Sequence, residues 1–162
     1  MLARFTKAPP AAPADQLACV RPDGSASVVP LPREGVLPRE AVHFVAETVL
    51  GWHDALFGLV AAGADAPAVA ARARALPAGP VREPQLHQSS ALAECLQAEL
   101  WGGASDPAAF AEKLILACRR RGVPPPDLDA EELARVRLAL REFGAAWRPL
   151  GPGQSLERTF AT

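Results

Sequence analysis

Three residues in the first half of the chain have the types and spacing that chemistry could use: Glu40, His43 and Glu47. Offsets of three and four residues bring side chains onto one helix face, about 5–6 Å apart. A Glu-x-x-His-x-x-x-Glu run therefore offers two carboxylates and an imidazole to a metal ion or to a general-base step. Helix-bundle di-iron sites use Glu-x-x-His, but twice over and with two further glutamates on facing helices. No second copy exists here; Glu83 and His87 fall in a proline-rich stretch and Glu94 on a later helix. An ordinary solvated helix face with i,i+4 pairing explains the same three residues with fewer parts, and the sequence favours it. His53-Asp54 could pair an imidazole with a carboxylate for general-base work, but Asp54 also suits a helix cap. Because there is no Gly-x-Ser-x-Gly elbow, no cysteine in a catalytic signature and no lysine beside the spaced glycines Gly51, Gly58 and Gly63, nucleophilic and phosphate-loop chemistry lack support.

Arg119 to Arg121, Arg135, Arg137 and Arg141 invite comparison with a nucleic-acid surface, yet Glu131, Glu132 and Glu142 interleave with them and no aromatic suited to stacking shares their face. A solvated, charged helix face is the expectation. Trp101 falls by spacing on the polar side of its helix near Glu94 and Gln97, where it is either an interface anchor or covered by the 77–88 loop.

The elements that must carry these residues can be read from period and punctuation. Leu37 to Gly63 predicts two helices joined at Gly51: Pro38 suits a first turn, Gly51 a left-handed end, and Asp54 to Gly63 is apolar on every side. Before it, Leu2 to Lys7 alternates, and Leu17 to Arg21 with Ser25 to Leu31 flank the turn signal Pro22-Asp23-Gly24. Two or three antiparallel strands are expected there. Asp65 and Pro67 open a short helix that Pro77 stops, residues 77–88 read as a loop, and Ser89 or Ser90 begins a helix through Trp101. Asp106-Pro107 opens the next, which Gly122 ends. Asp129 and Glu132 stand in a capping-box relation before a helix over 130–147, whose stripe of Leu133, Val136, Leu140, Phe143 and Trp147 is the clearest in the chain.

At 162 residues and 17.0 kDa the chain suits one domain. The expectation is a predominantly α, α+β domain over 1–150, with an antiparallel hairpin on about five or six helices and an extended tail over 151–162. A net charge of −1 supplies no field for nucleic acid or an anionic membrane. The apolar run Ala55 to Ala64 is half of what a membrane span needs, and no secretory signal opens the chain. Three scattered cysteines, Cys19, Cys95 and Cys118, suit reduced thiols, so the expected compartment is the cytoplasm, and the wealth of Ala, Arg and Pro fits a GC-rich bacterial genome. No cofactor is implied. The function expected is a non-enzymatic interaction or accessory module that binds a protein partner or a second copy through Trp101, Phe143 and Trp147. The alternative is a metal-dependent or general-base enzyme working through Glu40, His43 and Glu47.

Overall fold

A computed structural model describes residues 1–161. Strands send alternate side chains to opposite faces, so in β1 (Leu2–Thr6) Ala3 and Phe5 are buried while Arg4 is exposed. Leu17 and Cys19 of β2 (Asp15–Val20) and Val29 and Leu31 of β3 (Ala26–Leu31) follow the same rule. The Pro22-Asp23-Gly24 turn joins β2 to β3, with Gly24 at φ 84° and the Asp23 carboxylate accepting the Ser25 N–H at 2.9 Å. A fourth strand, β4 (Ser155–Thr159), completes an antiparallel sheet in the order β3-β2-β1-β4. Its registers align Val29, Leu17, Phe5 and Leu156 in one buried row across all four strands.

The segment expected to be a tail beyond residue 150 is extended, but it is bound as that edge strand. Phe160, just after β4, is buried, and its carbonyl accepts the N-terminal ammonium of Met1 at 3.0 Å. Alternation in five residues is too short a signal to separate a strand from a tail when the partner, β1, lies at the other end of the chain.

Six helices follow the hairpin. α1 (Arg39–Leu50) ends at Gly51 in the left-handed region, as predicted. α2 (Leu56–Ala61) is short and mostly buried; α3 (Ala66–Arg74) is capped by Asp65. α4 (Pro84–Gly102) starts at Pro84 and not at Ser89, which puts His87, Ser89 and Ser90 inside a helix and shortens the expected loop. Serines are tolerated there because both hydroxyls have partners: Ser90 donates to the Leu86 carbonyl and Ser89 to Glu47. α5 (Pro107–Arg120) is capped by Asp106, and α6 (Ala130–Trp147) opens on the full Asp129/Glu132 capping box. The result is a predominantly α, α+β fold, 48% helical and 14% strand, as the sequence predicted.

α1 packs against α2, α4 and α6 at the centre of the molecule. Phe5 from the sheet sits edge-on to Phe44 of α1 at 5.6 Å and to Phe143 of α6 at 5.1 Å, with Trp147 at 6.5 Å. Phe143 and Trp147 are therefore core residues, each 3% exposed, and not the interface they were expected to form. α6 is not peripheral because the chain after it returns to the sheet and closes the aromatic cluster with Phe160.

Candidate functional site

Glu40, His43 and Glu47 share a face of α1 as their spacing requires, but the face is buried. The expected solvated surface is covered by α4, whose Ser89 approaches from the opposite side. The three do not converge on one point. Glu40 is paired with Arg74 at the end of α3. Glu47 instead turns toward α2, accepting the backbone N–H of Leu56 at 3.2 Å and of Phe57 at 2.7 Å, along with the Ser89 hydroxyl at 2.7 Å. It thus performs across the fold the capping that Asp54 was expected to provide. Asp54 is exposed, and the N-cap of α2 is Ala55, which offers no side-chain acceptor. A carboxylate at these orphan N–H groups also meets the positive end of the helix dipole.

His43 Nδ1 lies 2.8 Å from Ser89 Oγ and 3.2 Å from Glu47 Oε1. With the single Ser89 proton directed at the carboxylate, Nδ1 must be the donor to both oxygens. Serine, histidine and glutamate together have the composition of a nucleophilic triad, but not its arrangement. A triad histidine uses one ring nitrogen for the acid and the other for the nucleophile; here both partners crowd Nδ1, Nε2 has no partner, and all three side chains are sealed from solvent. The cluster holds α1, α2 and α4 together. Among the described residues, no three His, Cys, Asp or Glu side chains stand where they could share a metal ion.

His53 and Asp54 lie exposed in the bend after α1. His53 packs edge-on to Phe160 at 6.0 Å, and the Asp54 N–H donates to Gln85, so neither orients the other. The backbone of His53 runs so close to α2 that a Cβ on Gly58 would fall 1.8 Å from its carbonyl oxygen. Cys19, Cys95 and Cys118 are free and buried, and burial pushes each thiol up to about 11.

Trp101, in the last turn of α4, is 73% exposed, so the loop before Pro84 does not cover it, and its indole nitrogen lies so near Gly35 that a Cβ there would fall 3.3 Å away. The surface also carries a feature that sequence reasoning missed. α5 packs on α4 and α6 on α1, so the two helices stand apart, linked by the stiff Pro124–Pro126 connector. Between them runs a groove of about 350 Å³ lined by Phe110, Leu114, Ile115, Leu128 and Leu133, with Arg137 at one end. Arg137 is held there by two hydrogen bonds to Glu99, on the turn that carries Trp101. Leu133 was assigned to the core stripe, but it is only half-buried because α6 rolls it toward this gap. The proline triplet was the one available hint, since a stiff connector can hold two helices apart.

The fold and site thus define an α+β protein, helix-dominated, with a buried polar brace at its centre and an open apolar groove at its surface. Compared with models of protein families, with curated proteins and with solved structures, the chain matches none. No helix among the described residues is long and apolar enough to cross a membrane.

Proposed function

We propose that the protein is a non-enzymatic interaction module whose working face is Trp101 together with the α5–α6 groove, and that the partner seated on it is a second copy of the chain. The observation that carries this reading is an exposed indole and an open apolar groove on one molecule, with the Glu99–Arg137 ion pair tying the last turn of α4 to the groove's wall. The groove's volume is at the low end of the ~300–1,000 Å³ typical of small-molecule sites, and its lining is almost wholly aliphatic and aromatic. Its two charged lining residues are already engaged, Asp129 in the α6 capping box and Arg137 with Glu99, whereas a Trp anchor needs only apolar walls and a hydrogen-bonding rim. Reciprocal insertion, each copy's indole in the other's groove, closes as a two-fold dimer and does not propagate as a fibre. Ile115, 41% exposed, extends the apolar rim.

A protein partner is favoured over nucleic acid by the chain's slight negative charge, and the free, buried thiols support work in the cytoplasm, in keeping with the GC-rich bacterial composition. The enzymatic alternative has no observation in its favour, since Glu40, His43 and Glu47 are sealed from any substrate. Sedimentation equilibrium across dilution tests the proposal. Wild type should associate reversibly, and Trp101→Ala and Ile115→Glu should each shift the equilibrium to monomer without altering the fold by circular dichroism. A wild type that stays monomeric at the highest concentration it tolerates, or association that survives both substitutions, overturns it.

A further inference from the structure

One face of α4, bearing His87, Ser90 and Glu94, gathers charges from three other elements. Arg39 of α1 donates to the Ser90 carbonyl at 3.4 Å, and Glu40 pairs with Arg74 of α3. At the end of α5, Arg120 pairs with Glu94, and Arg121 Nη2 lies 3.8 Å from the same carboxylate. Arg121 also donates to the Ala73 carbonyl at 3.1 Å, which ties the cluster to the C-terminus of α3. Four guanidiniums, Arg39, Arg74, Arg120 and Arg121, face two carboxylates, Glu40 and Glu94, so four minus two leaves a surplus of two positive charges. The nearby Glu83 is already bound by Arg72 through two hydrogen bonds. Burial first, and Arg121 second, lower the His87 pKa, so its ring adds no compensating or further charge at neutral pH.

Such a surplus is not what a structural ion-pair network requires, because like charges held together in a partly dry place repel. Burial, and next Arg121 itself, hold Arg39 below the ordinary arginine range. Three nitrogens in the cluster, Arg39 Nε, Arg121 Nε and His87 Nδ1, are moreover buried without a partner, against one acceptor, Glu40 Oε2. Arg121 is only 4% exposed, whereas the Arg74 and Arg120 side chains are 43% and 57% exposed. The positive charge is therefore buried at Arg121 and reaches solvent at Arg74 and Arg120. A carboxylate presents its acceptors in one plane, while a tetrahedral oxyanion presents them in several directions, which matches forks arriving from α1, α3 and α5.

We propose that this cluster binds a phosphate dianion, free or as the phosphomonoester of a small molecule, with Arg39 and Arg121 as the inner clamp, Arg74 and Arg120 at the mouth, and Glu94 as the internal competitor that the ligand displaces.

The test is calorimetric titration of the full chain with inorganic phosphate and, separately, with glycerol phosphate, at constant ionic strength maintained with chloride. Saturable one-site binding of at least one of them is expected, with the tighter of the two identifying the source, and with a matching rise in melting temperature. Arg39→Gln should weaken that binding at least tenfold and Arg120→Gln by less. Arg121→Gln risks the fold through its bond to Ala73, so Glu94→Gln provides the independent arm. It should bind phosphate several-fold more tightly than wild type, the opposite of what loss of a merely structural ion pair would give. Heat proportional to ionic strength alone, indifference to Arg39→Gln, or weaker binding by Glu94→Gln overturns the proposal.

Discussion

Replacing Glu47 by Gln changes almost no volume and so isolates the carboxylate's role. Glu47 accepts four hydrogen bonds, from the N–H of Leu56 and Phe57, from Ser89 Oγ and from His43 Nδ1, and it is wholly buried. Three of these reach Oε1, and the Phe57 N–H alone reaches Oε2. A glutamine that keeps its oxygen on the crowded side must turn its NH₂ toward the Phe57 N–H, leaving a buried donor facing a donor. That unmet group costs about 1–3 kcal/mol, and the three surviving bonds fall from the ~1.5–3 kcal/mol of charged partners toward the ~0.5–1.5 kcal/mol of neutral ones. The expected loss is about 4–7 kcal/mol, a large part of the ~5–15 kcal/mol that holds a domain together. Urea unfolding followed by far-UV circular dichroism at neutral pH measures it. Ser89→Ala should cost about 1–3 kcal/mol, and the double variant should lose less than the sum, because the second change removes a bond the first has already weakened. A Glu47→Gln protein within about 0.5 kcal/mol of wild type, or strict additivity, would refute the capping argument. Gain of stability would be worse for it still, since catalytic carboxylates in strained sites behave that way.

Trp147→Ala should cost about 3–5 kcal/mol as a buried aromatic does and leave the association state unchanged; a change in association with little loss of stability would return the residue to an interface. His87 has its pKa lowered by burial and then by Arg121, so the unfolded chain binds the proton more readily. Its contribution to stability is steady above the ordinary histidine pKa of ~6.5 and falls as pH drops below that toward the folded value. Wild type should therefore lose stability faster than His87→Gln between neutral and mildly acid pH, and parallel pH profiles would contradict this. The three thiols, pushed up to about 11 by burial, should react with a disulfide reagent at mildly alkaline pH only as fast as the protein opens. Prompt labelling of a folded sample would show that one of them is accessible.

What the sequence made legible was local. Gly51 ended α1, Asp65 and Asp106 capped α3 and α5, Asp129 and Glu132 formed their box, and Pro22-Asp23-Gly24 turned the hairpin, because each depends on residues within a few positions of one another. What escaped depends on partners far along the chain. β4 needs β1, the burial of Phe143 needs Phe5, and Leu133 faces a groove because α5 is anchored elsewhere. No periodicity within a helix carries that information.

The α1 triad shows the same limit in its sharpest form, because there the pattern was right and its environment was not. Polar residues at i, i+3 and i+7 ordinarily define a wet face, and the opposite face of α1 is indeed apolar. Yet Glu40, His43 and Glu47 became interior once α3 and α4 supplied Arg74 and Ser89 and the start of α2 supplied two bare N–H groups. α2 has no capping side chain of its own at Ala55 and no charge in its first turn. A short apolar helix of that kind can bury its N-terminus only if another element brings it an acceptor. The absence of a local cap on an all-apolar segment is thus a sequence signal in its own right: it calls for a buried acceptor, and Glu47, about one turn before the glycine that redirects the chain, is the acceptor within reach.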